Sequence, residues 1–246
     1  MDENLQLEHE CADAWPALVE RPLGEWRMRA ADGFTGRANS TLAAGDPGMP
    51  VEDALDEVIA FAVDHGITPA TQVVRGTETE QAIEKAEWVV NVDHPAGAEV
   101  AVLTSGIETF AEPEAAEGVS VDPMPSAQWW QLAAGAPEPS RAQRQVLGTG
   151  RNLGFGSAWR DGQVVAAVRG AVVGDLLHIA SLSVLPEYRR DGIATNLLGS
   201  LGQWATERGA TRCAAQVAVH NTPALELWQT LGCAEHHRYR YWKPGN

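Results

Sequence analysis

The 246-residue sequence predicts a mixed α/β (α+β) fold, with mostly antiparallel sheets flanked by helices, on three observations. Strand-like runs between residues 153 and 184 break at Asp161-Gly162 and Gly174-Asp175, the turn spacing of an antiparallel meander. Apolar Ile193, Leu197, Leu198, Leu201, Trp204 and Ala205 then follow the helical period and stop before Gly209. The N-terminal half alternates strand-like and helix-like segments in the same manner.

In chain order, "GEWRMRAA" and "TGRANSTL" read as two strands around a turn at Asp32-Gly33. "PVEDALDEVIAFAVDHG" reads as a helix. Pro50 stands at its first turn, acids come early, Val51, Leu55, Val58, Ile59 and Ala62 share a face, and Gly66 stops it. "ATQVVRG" is an expected strand, "ETEQAIEKAEW" a helix and "AEVAVLTSG" another strand. Residues 111–140 contain Pro113, Pro123, Pro125, Pro137 and Pro139 and read as an exposed connection or irregular crossover. A domain boundary is therefore expected between 112 and 127, giving domains 1–120 and 127–246. After the meander and its helix, "TRCAAQVAV" is a buried strand, "TPALELWQTLG" a short helix with Thr222 as N-cap before Pro223, and "HHRYRYWK" a last strand.

Composition narrows the function. A hydrophobic content of 44% can fill one large core or two smaller ones. The N-terminal "MDENLQLEHE" lacks the positive-then-apolar order of a signal peptide, and no run approaches the ~20 apolar residues of a membrane span. The expected location is the cytoplasm, with no membrane partner. Cys11, Cys213 and Cys233 lack metal-ligand spacing and read as buried or incidental thiols, with no metal expected. Of the formal charge of −15, residues 1–125 carry 6 Lys+Arg against 25 Asp+Glu and residues 126–246 carry 12 against 8. An acidic half argues against nucleic acid, which needs a basic footprint. The basic half suits an anionic small molecule.

The stretch "LSVLPEYRRDGIATNLL", residues 182–198, ends a strand at a proline and opens a helix through Arg189-Arg190-Asp191-Gly192-Ile193-Ala194. A helix start leaves amide N–H groups unpaired and carries roughly half a positive charge, so a glycine turn entering it suits a phosphate. Gly192 permits close approach, Ala194 offers little bulk, and Arg189 and Arg190 add charge. The alternative is an ordinary strand-to-helix turn with solvated arginines.

This loop resembles the (Arg/Gln)-x-x-Gly-x-(Gly/Ala) loop of the GNAT N-acetyltransferase superfamily, and "NTPALELWQTLGC" is similar to that family's Asn-x-x-Ala-x-x-(Leu)-Tyr-x-x-x-Gly-Phe segment at Asn221, Ala224, Leu227 and Gly232. The resemblance covers residues from about 150 to 242. It implies acetyl-CoA as co-substrate, with its pyrophosphate on Arg189, Arg190, Asp191, Gly192, Ile193, Ala194 and Thr195. Its pantetheine arm would lie along the backbone of Leu182 and Val184 like an added strand and touch Asn221. The implied reaction is attack of an amine on the thioester, which needs a base or water relay and a proton donor for the thiolate.

His178 lies on the same strand as a glutamate base in some members and is the candidate base, the alternative being a packed strand histidine. Many members carry the thiolate's tyrosine acid where this sequence has Trp228, whose indole N–H cannot act as a general acid. Trp228 would then act electrostatically, with Tyr188, Tyr239 or water as donor. The N-terminal half has no comparable phosphate loop and is consistent with a degenerate copy, a tandem GNAT-like arrangement. "GFTGRANS" is similar to the N-terminal region of actinobacterial N-acetylglutamate synthase-like GNAT proteins. That implies glutamate's α-amine as acceptor, with Arg37, Arg75 and, in the basic half, Arg169 as candidates to hold its carboxylates and Asn39 as a further substrate-binding candidate; the alternative for each arginine is a solvated or salt-bridged surface residue. The acidic face suits instead a cationic acceptor such as a polyamine, aminoglycoside or lysine peptide. The other class left open is a non-catalytic acyl-CoA-binding regulatory module. Adjacent Trp129 and Trp130 are candidates for an acceptor cleft or for core packing.

Overall fold

A computed structural model describes residues 2–110 and 117–245 of the chain. Two compact units emerge, one from residues 1–102, 217–225 and 235–246, the other from 103–216 and 226–234.

In the first unit, α1 (Glu3–Asp13) is capped by Asp2, whose side chain accepts from Asn4 N. β1 (Val19–Leu23) and β2 (Trp26–Ala30) form an antiparallel hairpin. The short strand β3 (Thr41–Leu42) lies antiparallel to β2 and parallel to β4 (Thr71–Val74). α2 (Val51–Asp64) crosses between β3 and β4 and ends at Gly66, and α3 (Glu78–Lys85) starts at the N-cap Thr77. β5 (Trp88–Val90) and β4 both pair antiparallel with β12 (Ala234–Pro244). The alternation of β2 and the apolar stripe of α2 meet in a core that includes Trp26, Met28, Leu55, Val58, Phe61, Val73, Ile83 and Trp242.

β6 (Glu99–Gly106) leads towards the second unit. There β7 (Val119–Asp122), which was not expected, pairs antiparallel with β8 (Leu153–Arg160); β8, β9 (Gln163–Val173) and β10 (Leu176–Val184) form the expected antiparallel meander, and β11 (Arg212–Ala218) adds parallel to β10. Successive side chains of β8 point to opposite faces. Phe155 meets the Trp129 ring edge-on at 5.0 Å on one face, while Gly154 and Gly156 face α6 (Ile193–Thr206) on the other. A Cβ at Gly154 would lie 2.8 Å from Trp204 Cε2, and one at Gly170 would lie 2.8 Å from Leu201 Cδ1. The absent side chains thus let α6 settle on the sheet with its predicted apolar stripe fully inward. α7 (Thr222–Thr230) follows β11.

Several expectations are corrected. "TGRANSTL" is not a strand: Arg37–Asn39 form a 3-10 turn and pairing is confined to Thr41–Leu42. The described part of the connection, 117–140, is not irregular, since it carries β7 and α4 (Ala127–Ala134), and α5 (Arg141–Gly148) follows it directly. Ser126 caps α4, Gly135 ends it in the left-handed region, and Ser140 with Gln143 forms a capping box for α5, so the polar residues among the prolines are helix caps. Residues 111–116, with Pro113 and the start of the expected boundary, lie outside the described residues. The N-cap of α7 is Asn221, whose Oδ1 accepts from Ala224 N at 3.4 Å, with Thr222 already helical.

Candidate functional site

The end of β10 builds the candidate site. Its register with β9 shifts between Ala180 and Ser183, Ser181 takes φ 55°, and its parallel register with β11 covers Leu176–Ile179. Ser181 and Leu182 therefore stand outside both ladders, at the place where the strand can accept a further extended partner. Leu182 and Val184 are half-buried. Val184 is more committed than the sequence implied, because it pairs with Ala166 and its carbonyl accepts from Arg189 Nε at 3.0 Å.

Past β10 the 3-10 turn Pro186–Tyr188 is tied down by Leu185 N donating to Val165 O at 2.9 Å. Arg190 has φ 71° and Gly192 φ 73°, so the chain enters α6 through two left-handed residues. A Cβ at Gly192 would meet nothing within 4 Å; the glycine answers the backbone's angle and keeps the approach open. The first intrahelical bond runs from Asn196 N to Gly192 O, which leaves the amides of Ile193, Ala194 and Thr195 at the free helix end. Buried Ile193 anchors the turn, while Arg189, Arg190, Asp191, Gly192 and Thr195 are exposed and Ala194 is half-buried. Neither arginine has a carboxylate partner among the described residues. The arrangement can hold an anion of pyrophosphate size through amides, helix dipole and guanidinium groups.

The other candidates are not gathered at this loop in the same way. His178 is fully buried in β10, with Nε2 3.5 Å from Gln216 Oε1, the environment of a packed strand histidine. Trp228 is buried and meets Phe110 edge-on at 6.2 Å. Tyr239 is buried as well, and burial first, then the neighbouring Tyr241, pushes its phenol well above the usual range. Of the candidate proton donors, Tyr188 alone keeps a half-exposed side chain.

The proposed carboxylate-binding arginines are engaged elsewhere. Arg37 lies over the Trp15 ring at 4.4 Å, Arg75 Nη1 is 3.1 Å from Glu99 Oε1, and buried Arg169 donates through Nε to Leu147 O at 2.7 Å. Asn39 is a structural pin: Oδ1 accepts from Ala31 N and Gly33 N, and Nδ2 donates to Thr35 O at 2.7 Å. Trp129 and Trp130 are buried, with Trp129 Nε1 donating to Gly156 O and Val168 O, so this pair is sheet-to-helix packing. Cys11, Cys213 and Cys233 are buried and none is in a disulfide among the described residues. What the sequence reading missed is the bulge at Ser181–Leu182; its signal, a small polar residue in an apolar strand, is common to many strands that do not bulge. No helix of the described residues is long and apolar enough to cross a membrane.

A family model described as "Probable histone acetyltransferase Rv0428c C-terminal" matches residues 3–242. The "Uncharacterized N-acetyltransferase YobR" of Bacillus subtilis is 24% identical over 249 residues, covering 96% of this chain and 98% of its own length. An "Aminoglycoside N(6')-acetyltransferase type 1" of Acinetobacter baumannii is 36% identical over 76 residues, which span 31% of this chain and 52% of that protein. Among solved structures, a GCN5-related N-acetyltransferase from Kribbella flavida superposes with a TM-score of 0.74 at 16% identity, covering 100% of this chain and 97% of that one.

Proposed function

The chain belongs to the GNAT N-acetyltransferases, through the family described as "Probable histone acetyltransferase Rv0428c C-terminal", and from that premise we propose that its acceptor is the primary amine of a cationic molecule. Acetyl-CoA is the co-substrate of this N-acetyltransferase, and supplies an acetyl group already activated as a thioester. The loop fits it: two left-handed residues, an open Gly192, free first-turn amides and two arginines without a carboxylate partner among the described residues suit a pyrophosphate.

In this reading Arg189, Arg190, Asp191, Gly192, Ile193, Ala194 and Thr195 hold the pyrophosphate, and the backbone of Ser181 and Leu182 takes the pantetheine arm as an extra strand. Asn221 is exposed at the start of α7. In this reading Tyr188, the half-exposed one of the candidate donors, returns a proton to the leaving thiolate. The amine reaches the site neutral through water, since His178 is sealed inside the sheet.

The observation that carries the acceptor's class is charge. With a formal −15, the molecule attracts cations, whereas glutamate needs free guanidinium groups and Arg37, Arg75 and Arg169 are all engaged. A glutamate acceptor of the N-acetylglutamate synthase-like kind is therefore the less supported reading.

The domain reading is that 127–246 carries the acetyl-CoA site and 1–120 is a degenerate copy. Support comes from an internal repetition. β3 and β4 are parallel and joined by the 14-residue α2, then α3; β10 and β11 are parallel and joined by the 14-residue α6, then α7. The first turn of α2 carries Glu52 and Asp53, which oppose any phosphate at that helix end.

The test is release of CoA thiol from acetyl-CoA with separate panels of polyamines, aminoglycosides, lysine peptides and amino acids. Turnover with a cationic panel and none with glutamate is expected. Turnover confined to glutamate would overturn the acceptor reading, and acetyl-CoA binding with no turnover by any amine would favour a regulatory module.

A further inference from the structure

The first unit contains a cleft of about 710 Å³, within the ~300–1,000 Å³ of small-molecule sites, formed by the loops before β3 and β4 and the segment after β5. It lies wholly on residues that the acetyl-transfer reading leaves unused, except the structural Asn39.

Its chemistry is built from a polar interior and an acidic rim. Asn91 lines the cleft while 92% buried; its backbone N donates to Tyr241 O at 2.8 Å and its carbonyl accepts from His94 N at 3.1 Å. Its side-chain amide has no partner among the described residues, and its Oδ1 and Nδ2 are not sealed off with the rest of the residue. That leaves a donor and an acceptor ready for a ligand. His94 stacks flat on Tyr241 at 3.6 Å, and burial holds its imidazole below the ordinary value, so it forms a neutral wall at pH 7. A side chain at Gly36 would overlap His94, so this position keeps the wall accessible.

At the rim, Asp93 Oδ2 is 3.5 Å from Lys243 Nζ, whereas Asp32 has no cation partner among the described residues. The lining therefore keeps an excess of negative charge over a floor that offers hydrogen bonds.

We propose that this cleft binds a small hydroxylated amine of the amino-sugar or amino-alcohol class, its ammonium held by the carboxylates of Asp32 and Asp93 and a hydroxyl bonded to the Asn91 amide. A neutral sugar would forgo the rim charge, and a simple alkylamine would leave Asn91 unpaired.

The experiment is calorimetric titration of the full chain with glucosamine in the absence of acetyl-CoA, with glucose and butylamine as comparisons. Saturable glucosamine binding is expected, with glucose and butylamine weaker by about tenfold or more. Asn91→Ala and the double variant Asp32→Asn/Asp93→Asn should each weaken glucosamine binding by about tenfold with thermal unfolding retained. The two aspartates are exposed, and asparagine tolerates the φ of 48° at residue 32, so the double variant keeps the fold. Absence of saturable glucosamine binding, or equal binding by folded variants, overturns the proposal. Arg189→Ala/Arg190→Ala separates this site from the transfer site: its glucosamine affinity should be unchanged while its CoA affinity falls, and parallel loss of both would place the amine at the transfer site instead. A chain that acetylates no cationic amine but binds glucosamine through Asn91 would refute the acceptor reading alone.

Discussion

At Gly192 the φ of 73° is a conformation that an L side chain adopts only at a cost of about 1 kcal/mol. Gly192→Ala is expected to lower CoA affinity by about tenfold, read by titration, because the amide cradle turns away or the strain is paid on binding. The same scale separates two aromatic candidates from chemistry. His178→Ala should lower stability by about 2 kcal/mol in denaturant unfolding and leave the shape of the pH–rate profile as it was, since the imidazole is sealed from solvent. A profile that lost its limb would restore His178 as the base. Trp228→Tyr should likewise cost about 1–2 kcal/mol of packing against Phe110 and bring no gain in kcat. Gly192 was legible from sequence because a motif of arginines, glycine and small residues names its own backbone. The burial of His178 was not, because an alternating strand puts a histidine inward or outward according to neighbours that only the fold supplies.

At the scale of elements, the seating of α6 depends on glycines in the sheet beneath it. Gly154→Ala forces a Cβ towards Trp204, and overpacking of this kind costs about 1–3 kcal/mol. Stability should fall and CoA affinity with it, because the helix that tilts is the one whose start forms the cradle. The first unit's β12 offers a different element-scale test. Glu99 lies among Arg75, Arg238 and Arg240, with Arg240 Nε at 2.9 Å. Burial alone would raise its carboxyl, but the hydrogen bonds from Arg240 and Arg238 and the charges of Arg240 and Arg75 outweigh it and hold it below the ordinary value. A lowered carboxyl contributes stability above its unfolded value, and that stability is lost as pH falls through the folded one. Glu99→Gln should therefore be less stable than the parent at pH 7, with the gap closing in urea unfolding as pH falls below about 4.

Across the whole molecule, the acidic excess should act as a field. If the acceptor is cationic, raising the ionic strength from about 0.05 to 0.5 M should raise its KM severalfold while leaving the CoA site's saturation less affected, because salt screens distant surface charge. A KM indifferent to salt would remove charge as the basis of recognition.

The sequence by itself determined most of the strands and helices of the second unit, the meander turns, the inward stripe of α6 and the place of the glycine turn that opens it. Each of these is a local pattern: a period, a turn dipeptide, or a glycine at a helix start. It also carried the charge division and the family motifs. Only the tertiary structure decided that 119–148 form a strand and two capped helices and that "TGRANSTL" pairs at just Thr41–Leu42. It also decided that Trp228 and Tyr239 are packed and that the candidate arginines are engaged. Exposure, pairing and proton affinity depend on residues distant in the chain, such as the Gln216 beside His178 or the Glu99 beside Arg75. No local pattern encodes those neighbours; folding brings them together.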